Sequence, residues 1–216
     1  MDPALLVFVI VALILSIVIH EVAHGFAADM LGDPTARLQG RLTLNPLPHI
    51  DPMGSVLIPG ILVLTGAGIL FGWARPVPYN PYNLKNQKWG EAIVAAAGPL
   101  TNIAIALFFG LLIRLGGGDL PDTFIALAYY VTYLNILLAL FNSIPVPPLD
   151  GSKIIKALLP FRAALSYQRF EAFMAQSGFL GLIAFLFLFI FIFDEPFFRL
   201  LATVMGLITG VGQPPL

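Results

Sequence analysis

The sequence contains no cysteine and few charged residues. Disulfides, thiol catalysis and cysteine-ligated metal sites are therefore excluded, and redox chemistry gives no indication of the compartment. Only 11% of the 216 residues are charged and 58% are hydrophobic, whereas a soluble domain usually carries about 25% charged residues. This composition predicts an integral membrane protein. The net charge of −1 argues against nucleic acid as a partner.

Histidine is scarce as well, with only three in the chain: His20, His24 and His49. A histidine-rich di-iron membrane oxidase would need more ligands than these. Two of them nevertheless stand in the pentapeptide His20-Glu21-Val22-Ala23-His24, which directly follows the apolar run from Ala4 to Ile19. Ionisable groups in a membrane segment are costly, so their presence indicates a functional site.

The spacing of this pentapeptide favours a metal site. On a helix, residues four apart share one face with their Cβ atoms about 5–6 Å apart, so His20 and His24 can bind one ion. Two neutral imidazoles suit zinc, and the adjacent Glu21 is placed to act as a general base toward water. The alternative interpretation is a pair of pore or packing histidines neutralised by the glutamate.

A catalytic zinc takes three protein ligands and keeps one position open for water, so a third ligand is needed. Asp150 is the favoured candidate, because it follows a helix and a rigid proline-rich turn, and Gly151 after it allows a sharp bend. A helix N-cap is an equally good explanation of Asp150. His49 is the competing third ligand, and its other explanation is a polar loop residue.

Hydrophobic runs predict an all-α polytopic membrane protein with about five to six transmembrane helices. Residues 152–176 suit one or two interfacial helices broken at Pro160. The predicted spans are Pro3–Met30, Glu91–Leu115, Thr123–Phe141, and a final hairpin of Phe179–Phe193 and Phe197–Thr209 turned at Asp194-Glu195-Pro196.

Three further stretches differ from these spans. Pro52–Trp73 is long enough to cross a bilayer, but basic residues flank it on both sides, which favours a re-entrant segment over a full span. Ala36–Leu44 alternates partly between apolar and polar residues, which indicates a short strand or hairpin. Ala74–Pro81 is too rich in proline for a helix and is predicted to be extended. A short membrane-associated β element is therefore expected.

Basic residues set the predicted orientation. The turn at 116–122 carries two acids and no lysine or arginine, whereas residues 152–169 are basic, so the helix that begins at Thr123 runs from outside inward. Arg37 and Arg41 after the first helix indicate that it also runs inward. His24 and Asp150 are therefore expected toward the same, cytoplasmic side.

Three motifs together resemble the site-2 protease family of intramembrane zinc proteases, in its minimal form without a PDZ or CBS domain. They are HEVAH at residues 20–24, Gly98-Pro99-Leu100-Thr101-Asn102, and residues 142–151, which resemble the family pattern N-x-x-P-x-P-x-L-D-G. The motifs occur in the family's order. The resemblance implies a single domain over residues 1–216, with a catalytic core at about 3–151 and interfacial helices and a hairpin at 152–216.

The resemblance also implies an activity, which is hydrolysis of peptide bonds within or near transmembrane segments of substrate proteins. By motif, His20, His24 and Asp150 would bind one zinc ion per chain, and Glu21 would be the general base. An aspartyl intramembrane protease is not favoured, because residues 116–119 fit a GxGD pattern without an earlier Tyr-Asp partner. No Gly-x-Ser-x-Gly context for a serine nucleophile occurs.

Three residues are candidates for binding the substrate under this resemblance. Asn142 would help to hold it, and Asn102 would either stabilise the transition state or pack the catalytic helices. Val77 lies in the segment Arg75–Asn80, which would align the substrate as an edge strand. A buried membrane asparagine is otherwise most often a hydrogen bond between helices.

The implied partners are a transmembrane protein or peptide substrate and the lipid bilayer, in a prokaryotic cell (inner) membrane with the active site toward the cytoplasm. The oligomeric state is left open. The alternative function is a non-proteolytic zinc-binding membrane transporter or scaffold that uses the same ligands. Glu21→Gln separates the two, since only the hydrolase depends on this base.

Overall fold

The computed structural model describes residues 2–65, 72–116 and 119–211, and no β-strand occurs among them. Short helical turns of 3-10 or π geometry lie at Leu47–His49, Pro52–Leu57, Pro81–Asn83 and Phe189–Phe193. The α-helices of the described residues are α1 Pro3–Met30, α2 Thr35–Leu38, α3 Ile58–Leu64, α4 Gly90–Gly116, α5 Asp122–Asn142, α6 Asp150–Leu158, α7 Phe161–Leu188 and α8 Asp194–Thr209.

Three of the described helices, α1, α4 and α5, are long and apolar enough to cross a membrane. Their ends agree with the hydrophobic runs of the sequence to within one residue. At 1.5 Å per residue, the 28 residues of α1 extend over about 42 Å, which exceeds the hydrocarbon core of about 30 Å. The predicted number of five to six transmembrane helices is not confirmed.

The three long helices pack against one another as a bundle. Gly98 near the start of α4 lies against His20 and His24 near the end of α1, so the two helices run in opposite directions. Small residues at the contacts let the backbones approach closely, as in many membrane helix pairs. The buried small residues of α4 and α5 are Gly90, Ala92, Ala95, Gly98, Ala106, Gly110, Ala128 and Ala139.

The segment from Pro52 to Trp73 returns to its starting point. The Trp73 N–H donates to the Gly54 carbonyl oxygen at 3.1 Å, and the Ser55 hydroxyl donates to the Trp73 carbonyl oxygen at 2.8 Å. The middle of the segment, residues 66–71, lies outside the described residues. Because its two ends are hydrogen-bonded to each other, the geometry favours the re-entrant interpretation over a full span.

The strand or hairpin predicted for Ala36–Leu44 is wrong. Thr35–Leu38 forms the short helix α2, and Gly40, at φ 64°, ends it. The Arg41 N–H donates to the Ala36 carbonyl oxygen and the Gly40 N–H to that of Arg37, which is the hydrogen-bond pattern of a Schellman cap. The partial alternation of this stretch reflects one helical turn with Ala36 buried.

The segment Arg75–Asn80 is extended, as its prolines predict, but it pairs with no strand in the described part of the chain. The short β element is therefore not found there. Prolines 76 and 78 remove two of the N–H groups that a ladder would need. Three of the four remaining N–H groups, those of Arg75, Val77 and Asn80, bond to side chains or to a loop carbonyl instead.

In the C-terminal third, the predicted break at Pro160 is found, and it separates α6 from α7. α7 then continues to Leu188 through a kink at Gly178, whose φ is 53°. The acids and proline at 194–196 form the first turn of α8 and not a connecting turn, as negative charge at a helix N-terminus favours. α8 packs against α4 and α5, where Leu201 and Met205 are buried.

Candidate active site

His20 and His24 lie one turn apart on the buried face of α1. The helix reaches them because an almost unbroken apolar run precedes them, and Asp2 caps its start by accepting the Ala4 N–H at 3.3 Å. The two rings meet edge to face with centroids 4.6 Å apart. Their Nε2 atoms are 3.0 Å apart, as their spacing of four residues on one helix allows.

Asp150 joins the two histidines from a distant part of the chain. It is the first residue of α6, and its Oδ2 lies 3.2 Å from the Nε2 of each histidine. Gly151 permits this approach, because a Cβ there would stand 2.2 Å from the Ser143 carbonyl oxygen.

The three atoms that face one another, the Nε2 atoms of His20 and His24 and Oδ2 of Asp150, are all acceptors. The His20 Nδ1–H donates to Asn102 Oδ1 at 2.6 Å, and the His24 Nδ1–H donates to the Val94 carbonyl oxygen at 2.7 Å. Each neutral ring therefore presents an unprotonated Nε2 to the centre. Two nitrogen lone pairs and a carboxylate repel one another when they meet alone, and they attract a cation between them.

The spacing of these atoms fits zinc. Ligands at the corners of a tetrahedron with metal–ligand distances of about 2.0 Å lie about 3.3 Å apart, and the observed separations are 3.0 to 3.2 Å. Gly98 on α4 keeps the adjacent space open. A Cβ at this position would stand 2.5 Å from His24 Nε2 and 2.6 Å from His20 Nε2. Three protein ligands are the number that a catalytic zinc takes.

A buried amide network fixes the ring of His20. Asn102 Nδ2 donates to Asn135 Oδ1 at 2.8 Å, and Asn135 Nδ2 donates to the Ser16 hydroxyl at 2.9 Å. Both asparagines are 0% exposed, and the network links α4, α5 and α1. Outer partners of this kind orient metal-binding histidines and set their tautomer.

Glu21 is half-buried and reaches the extended segment that precedes α4. Its Oε2 accepts the Val77 N–H at 3.0 Å. Ligand atoms of His20, Glu21 and His24 lie within 4.8 Å of one another, a group that could hold a metal ion. The carboxylate of Asp150 lies closer still to both imidazoles. Glu21 is thus a neighbour of the centre with one oxygen held by the backbone.

The other predicted site residues lie in different surroundings. His49 is buried, but its Nε2–H donates to the Thr43 carbonyl oxygen at 3.0 Å, and it is not part of the His20–His24 group in the described structure. Asn142 Nδ2 donates to the Leu138 carbonyl oxygen of its own helix at 2.9 Å.

Two of the predicted substrate-binding groups are already used inside the protein. Asn102 is fully buried, and its amide bonds His20 and Asn135, which agrees with the alternative that it packs the catalytic helices. Its role toward the substrate stays a prediction. The Val77 N–H bonds Glu21, so in this conformation it does not offer the predicted pairing with a substrate strand. The sequence shows residue types but not which neighbour uses each donor.

Four residues at the centre received no role from the sequence: Ser16, Val94, Gly98 and Asn135. Ser16 and Asn135 are isolated polar residues in apolar helices, and such residues usually face the bundle interior, so this signal could have found them. Val94 acts through its backbone oxygen, which has no signature in the sequence. Gly98 matters through a close approach between two helices, which spacing along one helix does not reveal.

Known proteins similar to this chain are consistent with the geometry. A model described as peptidase family M50 matches residues 117–185, which contain Asp150. The chain is 38% identical over 192 residues to the putative zinc metalloprotease YwhC of Bacillus subtilis, which covers 86% of this chain and 81% of that protein. No solved structure matches the chain.

Two further relatives are each named putative zinc metalloprotease Rip2. The relative from Mycolicibacterium smegmatis is 30% identical over 145 residues, covering 67% of this chain and 54% of that protein. The relative from Mycobacterium tuberculosis is 27% identical over 193 residues, covering 84% of this chain and 73% of that protein. The metal in these names agrees with the zinc predicted from the sequence.

Proposed function

Because the chain belongs to peptidase family M50, the site-2 protease family, we propose that it is an intramembrane zinc endopeptidase that cleaves within or near transmembrane segments of other proteins. The observation that carries the proposal is the meeting of His20, His24 and Asp150, with Glu21 beside them, at one end of a bundle of membrane-length helices. The chain is an integral membrane protein, so its substrates would meet this centre at or within the bilayer.

We assign His20, His24 and Asp150 as the ligands of one zinc ion per chain. The two imidazoles are held by Asn102 and the Val94 carbonyl oxygen. When bound, zinc lowers the pKa of water to about 7 and polarises a carbonyl oxygen. The residues that hold it are already oriented, so little rearrangement accompanies binding.

Glu21 serves as the general base. Its Oε2 is held by the Val77 N–H, which leaves Oε1 without a hydrogen-bond partner among the described residues. Oε1 takes a proton from water as the water oxygen attacks the scissile carbonyl carbon. The same carboxyl group then gives the proton to the leaving nitrogen as the C–N bond breaks. Positioned acid–base groups of this kind contribute about 10²–10⁴-fold to a rate.

Substrate contact is assigned to Asn142 and to the backbone around Val77. A transmembrane helix uses its own N–H and C=O groups internally, so the target must be unwound locally before cleavage. Extended backbone at 75–80 could then add the unwound strand through the Val77 C=O. Asn142 ends α5, directly before the turn that leads to Asp150.

We propose that the chain lies in the inner membrane of a prokaryotic cell, with the centre toward the cytoplasmic side. Arg37 and Arg41 follow the end of α1 that carries His24. The loop at the opposite end of the bundle, between α4 and α5, carries Asp119 and no lysine or arginine. Loops rich in lysine and arginine usually remain on the cytoplasmic side.

The test is cleavage of a membrane-spanning reporter by the purified full chain in lipid vesicles, together with its zinc content. Wild type should cleave the reporter and hold one zinc. Glu21→Gln should hold zinc but lose about 10²-fold or more of its turnover. Glu195→Gln is the matched control, because this exposed α8 acid pairs only with the neighbouring Arg199 in the described structure, and it should cleave normally.

The same measurements separate the alternatives. Asp150→Ala should lose zinc and His49→Ala should keep it, and the reverse pattern would transfer the third ligand to His49. Near-normal turnover by Glu21→Gln would remove the assigned base. A wild type that holds zinc but cleaves no membrane-spanning reporter would favour a zinc-binding transporter or scaffold.

A further inference from the structure

The extended segment at residues 75–80 has few backbone donors, and most of them are used. Its prolines at 76 and 78 have no N–H, so only four donors remain in the segment. Three of them bond to groups elsewhere in the chain: Arg75 to the His49 carbonyl oxygen at 2.8 Å, Val77 to Glu21 at 3.0 Å, and Asn80 to Asp33 Oδ2 at 2.6 Å. A segment that makes no strand pairing in the described structure is thus held at three points.

Arg41 holds the peptide group that contacts Glu21. The Arg41 side chain is buried, and its Nη2 donates to the Arg75 carbonyl oxygen at 2.9 Å and to that of Pro76 at 3.3 Å. The Pro76 C=O and the Val77 N–H belong to one trans peptide group, so they point in opposite directions. The rigid Pro76–Val77 peptide group therefore contacts the Arg41 guanidinium through its carbonyl oxygen and the Glu21 carboxylate through its N–H.

The position of Arg41 is itself set by local structure. Gly40 takes φ 64° at the end of α2, and the Arg41 N–H closes the cap on the Ala36 carbonyl oxygen at 2.9 Å. Ala36 is 0% exposed and packs near Gly25, one residue after His24. These contacts fix the position of the Arg41 guanidinium relative to α1, the helix that carries Glu21.

Asp33 holds the other end of the segment. It is 0% exposed, and besides the Asn80 N–H it accepts the Asn83 amide at 2.8 Å and the Thr35 hydroxyl at 2.6 Å. Burial raises the pKa of Asp33, but these hydrogen bonds outweigh it and lower the pKa. Asp33 lies three residues beyond the end of α1, and Arg41 lies just after α2, so both holds come from the stretch of chain that follows the motif helix.

We propose that Arg41 and Asp33 are positioning residues that clamp the extended segment, so that the Val77 N–H holds the Glu21 carboxylate in its working orientation. The role of Glu21 rests on the proposed function, whereas the clamp rests on geometry alone. Neither residue touches the centre itself. Each acts through the backbone of residues 75–80.

The first test measures the clamp by hydrogen exchange and needs no protease assay. A peptide that covers residues 75–80 reports few amides from the segment, because its prolines contribute none. In Arg41→Met this peptide should exchange about tenfold faster than in wild type, because the peptide plane loses its hold. Arg37→Met is the matched control, since Arg37 pairs with Asp29 on the surface and not with the segment. Unchanged exchange in Arg41→Met would overturn the clamp, whether or not the chain proves to be a protease.

The second test reads the consequence for the reaction. If Arg41 acts through Glu21, Arg41→Met should lower kcat on the membrane reporter about 10- to 100-fold, as a small misplacement of a catalytic group does. KM should stay within about twofold and zinc content should be unchanged, and Arg41→Lys should restore part of kcat because it keeps a charged donor. A rise in KM at normal kcat would instead assign the segment to substrate binding alone and overturn the proposal.

A double-mutant cycle separates positioning from general structural support. In Glu21→Asp the shorter side chain no longer reaches the Val77 N–H, so adding Arg41→Met should lower kcat by no more than about twofold further. A loss that multiplies with that of Glu21→Asp would overturn the proposal. If Arg41→Met fails to fold, Asp33→Asn provides the same comparisons from the other end of the segment, with Asp29→Asn as its control.

Discussion

The helical bundle and the last two helices, α7 and α8, differ in what holds them. In the bundle of α1, α4 and α5, buried polar groups bond one another across helices, as Asn102 does with His20 and Asn135. Along α7 most of the large apolar side chains that the structure describes are exposed, among them Phe173, which is 63% exposed, and Leu180, which is 75% exposed. α8 contacts the bundle through buried apolar side chains such as Leu201.

This difference teaches where small changes matter. A hydrogen bond tolerates a change of only a few tenths of an ångström in the donor–acceptor distance, and it needs the right angle. The helices of the bundle must therefore keep one register. Apolar contacts have no direction and tolerate substitution when volume is roughly kept. Substitutions of the same kind should therefore have unequal effects in the two regions.

The largest contrast is expected between two helix glycines. Gly98→Ala should abolish zinc binding, because its Cβ would stand 2.5 to 2.6 Å from the two Nε2 atoms. Gly206→Ala on α8 meets nothing within 4 Å and should keep zinc, with a stability gain of up to about 1 kcal/mol from helix propensity. Zinc content and thermal unfolding of both variants decide. Full zinc occupancy in Gly98→Ala would show that α4 can move away from α1.

A smaller effect is expected in the amide network. Asn102→Leu removes the acceptor that fixes the His20 ring, and loss of such a partner typically lowers metal affinity about 10- to 100-fold. Thr101→Val is the matched control, because the Thr101 hydroxyl bonds only its own helix at Ala97 and makes no other hydrogen bond in the described structure. Zinc titration of both variants measures the difference. Equal affinities would mean that the network supports packing and not the orientation of His20.

The third contrast concerns stability alone and leaves zinc binding unchanged. Leu134→Ala, at a buried position of α5, should lower the free energy of unfolding by about 2–5 kcal/mol. Leu180→Ala, at an exposed position of α7, should change it by no more than about 0.5 kcal/mol. Unfolding in detergent measures both. Similar losses in the two variants would show that the end of α7 is packed as firmly as the bundle.

Local patterns in the sequence predicted the parts of the centre that one helix determines. The bounds of α1 and the meeting of His20 with His24 follow from an apolar run and a spacing of four residues. Asp150 was found by its motif, although spacing alone left its role as a helix cap open. The contact of His24 with the Val94 carbonyl oxygen was not predictable, because any residue at that position offers the same atom.

The errors share one physical cause, which is that tertiary contacts decide the shape of short segments. The alternation at 36–44 suggested strands, but Gly40 closes a helical turn and the burial of Ala36 against α1 keeps it there. The predicted number of spans is not confirmed, and apolar length alone does not distinguish a helix that crosses from a segment whose ends meet. For Pro52–Trp73, the hydrogen bonds between residues 54–55 and residue 73 show that the two ends of the segment meet.

The distance along the chain between His20 and Asp150 has a consequence for biosynthesis. The two residues meet in space but are separated by 130 positions. On the ribosome, α1 emerges and enters the membrane while the carboxylate that completes the trio is still untranslated. A nascent chain therefore carries two histidines and a glutamate without a finished centre. Under the proposed function, proteolytic competence would arise only after α4 and α5 have been inserted beside α1, so a truncated or wrongly inserted product would remain inert toward its neighbours in the membrane.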